Sequence, residues 1–517
     1  MGGKCVAIDF GACNIKATYL MGKKIRSIRL NSSQQGGSEA PDSLFYDRLK
    51  DGSISPKLKR DLEPGDYSNT VLNVKQKLTL KEWNKFINNI GRTVNAEECT
   101  TEVFKLLKAR IQAKYGTESD NLDVAITYPV CFSEIQKRRL RNAIELAGFN
   151  VTSMLTEPFA ALFAVKNDLD LEEPQLVLVF DSGGSTLDIS LMEIVQEDDY
   201  LKVTELACKG MTFGGINIDL AIYEYFVNTK YPEELAKIVA ADDKGSAKDE
   251  IINEIVKVKE SLYDEDEERD EFSYTDRAGN FYEFELNISE INRLLDSMDV
   301  KKKINELLDE LFEDAEESAD QFFNDLHFDN VDEEAVTYVQ PIGGNAHISY
   351  LLDVLEERFE CFSKDNVEWP DEDDYVARGA SEYSRIMGDD EGINIHSVIP
   401  FNVGISSAHG SFVRLLPKTV RKGSYSKSEA ITMEQLNADD FVIHLYQSFS
   451  NRYRQCITDE QVIYMGFVKL DKDKYTNSNA ITVKLYKAND NDIFVVTSEV
   501  VDGDIIVRER LPLQIGV

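Results

Sequence analysis

One short pattern occurs twice, and it limits what the chain can fold into more than any other feature. Val6-Ala-Ile-Asp-Phe-Gly-Ala-Cys-Asn-Ile-Lys-Ala-Thr-Tyr-Leu20 overlays Leu178-Val-Phe-Asp-Ser-Gly-Gly-Ser-Thr-Leu-Asp-Ile-Ser-Leu-Met192, with Asp9 on Asp181 and Gly11 on Gly183, 172 residues apart. Each copy reads as an apolar strand, a small-residue turn opened by Asp, and a second alternating strand, which is a β-hairpin with a Gly-rich turn. Two such hairpins predict two similar lobes facing each other. The pattern alone leaves open whether Asp9 and Asp181 serve a ligand or only form their turns.

The segments between and after the hairpins alternate strand and helix, which predicts an α/β fold through about Met387. Helices are expected over Ala96–Tyr115, Ser133–Ala147, from Gly214-Gly215 onward, over Asp249–Tyr263 and over Val300–Leu326. The last carries Ile304, Leu307, Leu308, Leu311, Phe312, Ala315, Phe322, Phe323 and Leu326 at helical spacing. Strands are expected at Leu122–Pro129 and Ala335–Ile342, the latter ending at a third glycine pair, Gly343-Gly344. Then the pattern shortens. Gly388-Asp-Asp-Glu-Gly392 is an acidic joint, and Phe441–Tyr446, Ala480–Tyr486 and Ile493–Thr497 read as strands with no helix between them. A boundary at 388–397 and a β domain of about 120 residues are expected.

Composition narrows the partners. The 517 residues carry 93 acidic and 57 basic side chains, a formal charge of −36. Such a field repels phosphate backbones and anionic lipid heads, so neither nucleic acid nor a membrane surface is an expected partner. Seven cysteines without a CxxC pair suggest a reducing compartment, and Asp9 interrupts the only N-terminal apolar run. A soluble, cytoplasmic chain is the expectation.

No G-x-x-x-x-G-K-[ST] and no G-x-G-x-x-G occurs, which leaves another way to hold a phosphate chain. Gly-rich turns present consecutive backbone N–H groups as an anion nest. Asp9 and Asp181 could hold Mg²⁺ through its waters, with Thr186 and Asp188 five and seven residues further on. Phosphoryl transfer needs mainly positioning and charge neutralisation, so two hairpins, a metal and one lysine suffice.

The hairpins resemble the phosphate loops of the sugar-kinase, actin and heat-shock-seventy ATPase superfamily, and the ordered motifs resemble DnaK-type chaperones more narrowly. Ile8-Asp-Phe-Gly11 is similar to the first phosphate loop, and Asn69-Thr-Val-Leu-Asn-Val-Lys75 to the segment bearing the catalytic lysine. Ile126–Gln136 with Leu155-Thr-Glu-Pro-Phe-Ala-Ala161 resembles the switch-proline region, and Val179–Asp188 the second loop. Ile342-Gly-Gly-Asn-Ala-His-Ile348 resembles the adenosine loop, followed by Pro370-Asp-Glu and Arg378-Gly-Ala380. Val398–Ile405 and Leu415–Lys418 resemble, more weakly, the start of a peptide-binding β-sandwich.

The resemblance implies an actin-like two-lobed ATPase over 1–387, a linker over 388–397 and an all-β sandwich over 398–517 without a helical lid. It implies ATP/ADP and Mg²⁺ as cofactors. Asp9 and Asp181 would hold the metal. Lys75, Glu157, Asp181, Thr186 and Asp188 would form the catalytic set. Gly11, Ala12, Cys13 and Asn14 would face Gly183, Gly184 and Ser185 around the phosphates, with Gly214 and Gly215 beside them. Val256, Lys259, Glu260 and Tyr263 would supply the nucleoside helix, and Gly343, Gly344, Asn345 and His347 the nucleoside loop. Pro129, Lys137 and Glu157 match an interdomain switch. Unfolded or extended polypeptide, a J-type co-chaperone and a nucleotide exchange factor are the implied partners.

There are departures. Ala12-Cys13 stands where the family carries two threonines, and Cys13 reads as a loop filler. Val256 removes an acid, and His347 replaces an arginine that stacks on the base; it would stack there or cap the next helix. The linker Gly392-Ile-Asn-Ile-His-Ser397 has only two apolar side chains, Ile393 and Ile395, so docking on the ATPase lobe is expected to be partial. Three functions are compatible with these residues: an ATP-driven peptide-binding chaperone, a nucleotide-binding regulator of another chaperone with little turnover, and an actin-like filament protein.

Overall fold

The computed structural model describes the chain apart from residues 1–4, 22–23, 31–38, 61, 64, 116–121, 167, 198–199, 265–267, 323–324, 368, 370–373, 389–392, 408, 419, 421–423, 433–441, 451–454, 476–479, 489–492, 502–503 and 513–517. The expected features at Pro370-Asp-Glu, Asp389–Gly392, Phe323 and Phe441 therefore lie outside the described residues.

Each Asp-opened pattern forms the predicted hairpin, and each hairpin sits in the same setting. Val6–Phe10 pairs antiparallel with Asn14–Met21 and parallel with Leu122–Tyr128. Gln175–Ser182 pairs antiparallel with Leu187–Gln196 and parallel with Tyr338–Ile342. Antiparallel third strands, Lys24–Ser27 and Leu201–Met211, extend the two sheets in the same way. The first sheet adds Phe149–Thr156 beyond Leu122–Tyr128. Strands such as Val177–Phe180 are apolar at successive positions because both faces are covered.

Two helices lie between the sheets. Glu157–Val165 packs against Tyr375–Gly388, and their apolar faces join Ala7 and Ala125 of one sheet to Val177 and Val179 of the other in a single core. Phe159, Phe163 and Tyr383 form an edge-to-face cluster in that core, with centroids 5.4–6.3 Å apart. Contact is closest at Gly379, where an added Cβ would stand 1.7 Å from the Ala160 carbonyl oxygen.

The expected helices form with small changes at their ends. Ser133 caps Glu134–Leu146, its hydroxyl accepting from the Gln136 N–H while Gln136 returns a bond to the Ser133 N–H, a capping box. The helix expected to reach Leu326 runs Val300–Phe322, with Ile304, Leu308, Leu311, Phe312 and Ala315 buried as the spacing requires. The strand expected from Ala335 begins only at Tyr338. Asp332 instead accepts from the Ala335 N–H at 3.0 Å and winds Glu333–Ala335 into a 3₁₀ turn. No helix among the described residues is long and apolar enough to cross a membrane.

From Asn402 onward the named elements are strands apart from one 3₁₀ turn. Phe412–Leu416, Asn402–Ser406, Val442–Ser448 and Val462–Lys469 form one sheet; Glu429–Thr432, Ala480–Lys487, Ile493–Val501 and Asp504–Pro512 form a second. Val403, Leu445 and Met465 of the first meet Val483, Leu485 and Val495 of the second in a shared core, a β-sandwich.

The linker differs from expectation. Ile393–His396 is a full strand, parallel to Leu201–Thr204 at the edge of the second lobe's sheet. Counting apolar side chains leaves out the main chain, which supplies ladder hydrogen bonds whatever the side chains are. Ile395 adds a packed apolar contact, the Val398 N–H donates to buried Glu205 at 3.1 Å, and the Lys487 ammonium donates to the Ser397 carbonyl at 2.9 Å. The sandwich also touches the lobe through Lys418, 2.5 Å from Asp314, which Lys209 contacts as well at 2.9 Å.

Gly379→Ala tests the contact between the two helices. The added methyl must push the helices apart, which should cost ~1–3 kcal/mol and lower the apo melting temperature by ~1–4 °C. Thermal unfolding of the full chain measures it.

Candidate active site

Both Asp residues stand where their strands end at the cleft. Asp9 lies opposite Lys16, and the Thr127 hydroxyl donates to Asp9 Oδ1 at 3.0 Å. Asp181 lies directly across its hairpin from Asp188 and beside Ile342. Asp181 and Asp188 are thus a buried cross-strand pair of carboxylates, an arrangement that like charges disfavour.

The loops are held by one another. The Gly183 N–H donates to the Thr186 carbonyl at 2.9 Å, and the Gly215 and Ile216 N–H groups donate to the Gly183 and Gly184 carbonyls at 3.2 and 2.9 Å. The Asn345 side-chain amide donates to the Gly183 carbonyl too. Gly343 adopts φ 87°, and a Cβ there would stand 2.5 Å from the Ser182 carbonyl oxygen and 2.7 Å from Asp181 Oδ1. A Cβ on Gly184 would stand 2.6 Å from Cys13 Sγ and 3.6 Å from the Ala12 Cβ, so the two Asp-opened hairpin loops meet. Asn14, behind the first loop, accepts from Arg60.

Lys75 begins the short helix Val74–Thr79 and is buried, with Nζ 2.5 Å from Glu157 Oε1 at the start of Glu157–Val165. Burial alone would lower its pKa, but the charges of Glu157, Asp9 and Asp188 outweigh it and hold the ammonium above its ordinary range. Burial pushes Asp188 up to about 8, the Glu157 charge adding to it while the Thr186 hydroxyl and Lys75 oppose it. Asp181 is driven well above the usual carboxylate range by burial and by Glu157, Asp188 and Asp9. Four carboxylates therefore face one ammonium in a dry cleft. That surplus suits a divalent cation. Among the described residues no three acidic, His or Cys side chains converge to hold a metal ion directly. Carboxylates on two facing hairpins fit Mg²⁺, an oxygen-seeking ion that usually takes one or two protein carboxylates.

Further along the cleft Lys259 pairs with Asp219 at 2.7 Å. A Cβ on Gly215 would stand 2.9 Å from the Asn345 amide and 3.1 Å from Lys259 Nζ, so these groups share one floor beneath Gly214 and Gly215. Val256 is half-buried a turn earlier, Glu260 is exposed, and the Tyr263 hydroxyl is buried with no hydrogen-bond partner among the described residues. Ser185 is half-buried in its turn and Gly344 is exposed.

Of the two roles open to His347, one is excluded. His347 does not cap the next helix, whose N-cap is Ile348. Its ring stacks on Trp369, centroids 4.1 Å apart, so one face is already covered. Lys137 pairs with Glu134 one turn earlier at 3.2 Å and lies 4.9 Å above the Tyr128 ring, while Glu157 is held by Lys75. Pro129 is buried at the end of its strand. Sequence reasoning also missed Thr127, Asp219 and Asp42, which reach the site from other elements and carry no motif of their own.

A sequence model described as "Hsp70 protein" matches residues 60–501. The chain belongs to the Hsp70 family. Among curated relatives, "Chaperone protein DnaK" of Stenotrophomonas maltophilia (strain R551-3) is 25% identical over 471 residues, covering 86% of this chain and 69% of the relative. In this Hsp70 the two similar sheets around the cleft and the following β-sandwich are the family's actin-like lobes and sandwich.

The Asp188 shift has a sign that can be measured. Its folded pKa of about 8 lies above the ~3.9 of an unfolded Asp, so the folded state binds more protons between those values. Its contribution is favourable below pH ~4 and is lost as pH rises to ~8. Asp188→Asn should therefore stabilise the nucleotide-free chain by roughly 2–5 kcal/mol at pH 8 and by much less at pH 5. Urea unfolding at both pH values checks this.

Proposed function

We propose that this Hsp70 binds and hydrolyses Mg·ATP in the cleft between residues 1–387, and that residues 398–517, reached through the linker 388–397, bind unfolded or extended polypeptide. The observation that carries the reading is the buried Lys75–Glu157 pair set against Asp9, Asp181 and Asp188 where the two Gly-rich loops meet. A site that only bound nucleotide would have no need of a buried ammonium fixed by a carboxylate together with Thr186 and Asp188 to orient a water.

Each group then has a task. The backbone N–H groups of Gly11–Asn14 and Gly184–Thr186 cradle the phosphates. Asp9 and Asp181 would hold Mg²⁺, which would supply neutralising charge when bound. Lys75 faces the terminal phosphate, and Glu157 fixes its ammonium. Asp188 and Thr186 orient the attacking water. Lys259, Asp219 and Asn345 meet the nucleoside. Likeness to a DnaK chaperone protein supports polypeptide as the substrate of the β domain, with a J-type co-chaperone and an exchange factor as partners in a reducing, cytoplasmic setting.

Lys75→Ala should leave ATP bound but slow single-turnover hydrolysis by ~10²–10³, as when one preorganised charge partner is removed. Wild-type hydrolysis in that variant would overturn the reading. The docked linker yields a second expectation. Ile395→Asp places a charge in the packed edge and should release Ile393–His396 from the sheet. Hydrogen exchange should then rise at least ~10-fold over 201–204 and 393–396, with the Val6–Phe10 strand unchanged.

A further inference from the structure

We propose that Asp42 is a positioning residue that fixes the catalytic lysine to the first phosphate loop, so that loop and lysine move as one body. The proposal rests on the reading of Lys75 as the group that meets the terminal phosphate.

Asp42 occupies the single position between two short pairings. Before it, Ala40–Pro41 pairs with Asn14–Ile15 at the base of the first loop. After it, Ser43–Phe45 pairs with Thr70–Leu72, the strand leading into the lysine's helix. Its own groups close the joint. The Asp42 N–H donates to the Cys13 carbonyl at 2.9 Å, and its carbonyl accepts from the Val74 N–H at 3.3 Å. Its carboxyl Oδ2 accepts from the Lys75 N–H at 2.8 Å.

The side-chain bond fills a local gap. Asn73 turns the strand into the helix at φ 50°, ψ 60°, and its side chain caps nothing, so the Lys75 amide finds its acceptor from outside the segment. Lys75 is then held at both ends, by Asp42 at its backbone and by Glu157 at its ammonium. Asp42 is almost wholly buried, and in a dry setting such a bond holds its geometry tightly. Burial pushes the Asp42 carboxyl well above the carboxylate range, against the pull of the Lys75 amide and charge. The neutral amide oxygen of asparagine is therefore a close substitute.

The test uses the full chain in single-turnover ATP hydrolysis, with ATP affinity measured alongside. Asp42→Ala should slow hydrolysis by ~10–100-fold, the loss expected for a displacement of about 1 Å, with the ATP Kd within about threefold. Asp42→Asn should recover the rate to within about fivefold of wild type. Asp42→Leu, which fills the space without an acceptor, should show the alanine loss and carries the test if alanine does not fold. Asp42→Ala combined with Lys75→Ala should be no slower than Lys75→Ala alone, because Asp42 acts through that lysine. Wild-type hydrolysis in both the alanine and leucine variants, or a further loss in the double variant, would overturn the proposal. Wild-type hydrolysis in Lys75→Ala alone would instead remove the functional reading on which it stands.

Discussion

The cleft depends on one ammonium. Lys75 is buried among Glu157, Asp9, Asp181 and Asp188, and it contacts Glu157 from a different chain segment. Removing one partner of a buried pair typically costs ~3–5 kcal/mol, because the other charge is left desolvated. The helix that carries Glu157 is also the helix that lies between the two lobes against Tyr375–Gly388. The charge arrangement of the site and the packing between the lobes therefore share one element. Even so, carboxylates remain in excess, and two of them stay opposite each other on a hairpin. A stability optimum would not keep such a pair, and its cost is of the kind a binding site carries.

Much of this arrangement was legible from residues alone, for physical reasons. The hairpins could be read because strand alternation and Gly-rich turns are local, and the repeat placed one beside the other. The helix at Val300 could be read from its apolar spacing, and Ser133 with Gln136 marked a helix start. Lys75 and Glu157 were legible only through family resemblance, since nothing local brings a lysine to a carboxylate 82 residues away. Asp42, Asp219 and Thr127 were not legible at all. Each acts through a tertiary contact, and an acid after a proline or a threonine in a strand has no spacing signal.

Where the reading failed, it failed by counting side chains. The linker looked too poor in apolar residues to dock well, yet Ile393–His396 completes a sheet edge through its main chain. Sequence variation is tolerated in such a strand because the ladder is common to all residues. His347 and Lys137 have neighbours that the resemblance did not indicate. Trp369 covers one face of the first, and Glu134 with the Tyr128 ring holds the second.

The central claim is that surplus carboxylate at the meeting of two Gly-rich loops makes a phosphate site that works only with a divalent cation. Calorimetric titration of the full chain with ATP, in Mg²⁺ and then in EDTA, tests it most directly. The account predicts binding in Mg²⁺ that weakens at least ~10-fold once the metal is chelated, since the cation's neutralising charge between the acidic groups and the phosphates is then gone. Equal affinity in EDTA, or no ATP binding in Mg²⁺, would contradict it.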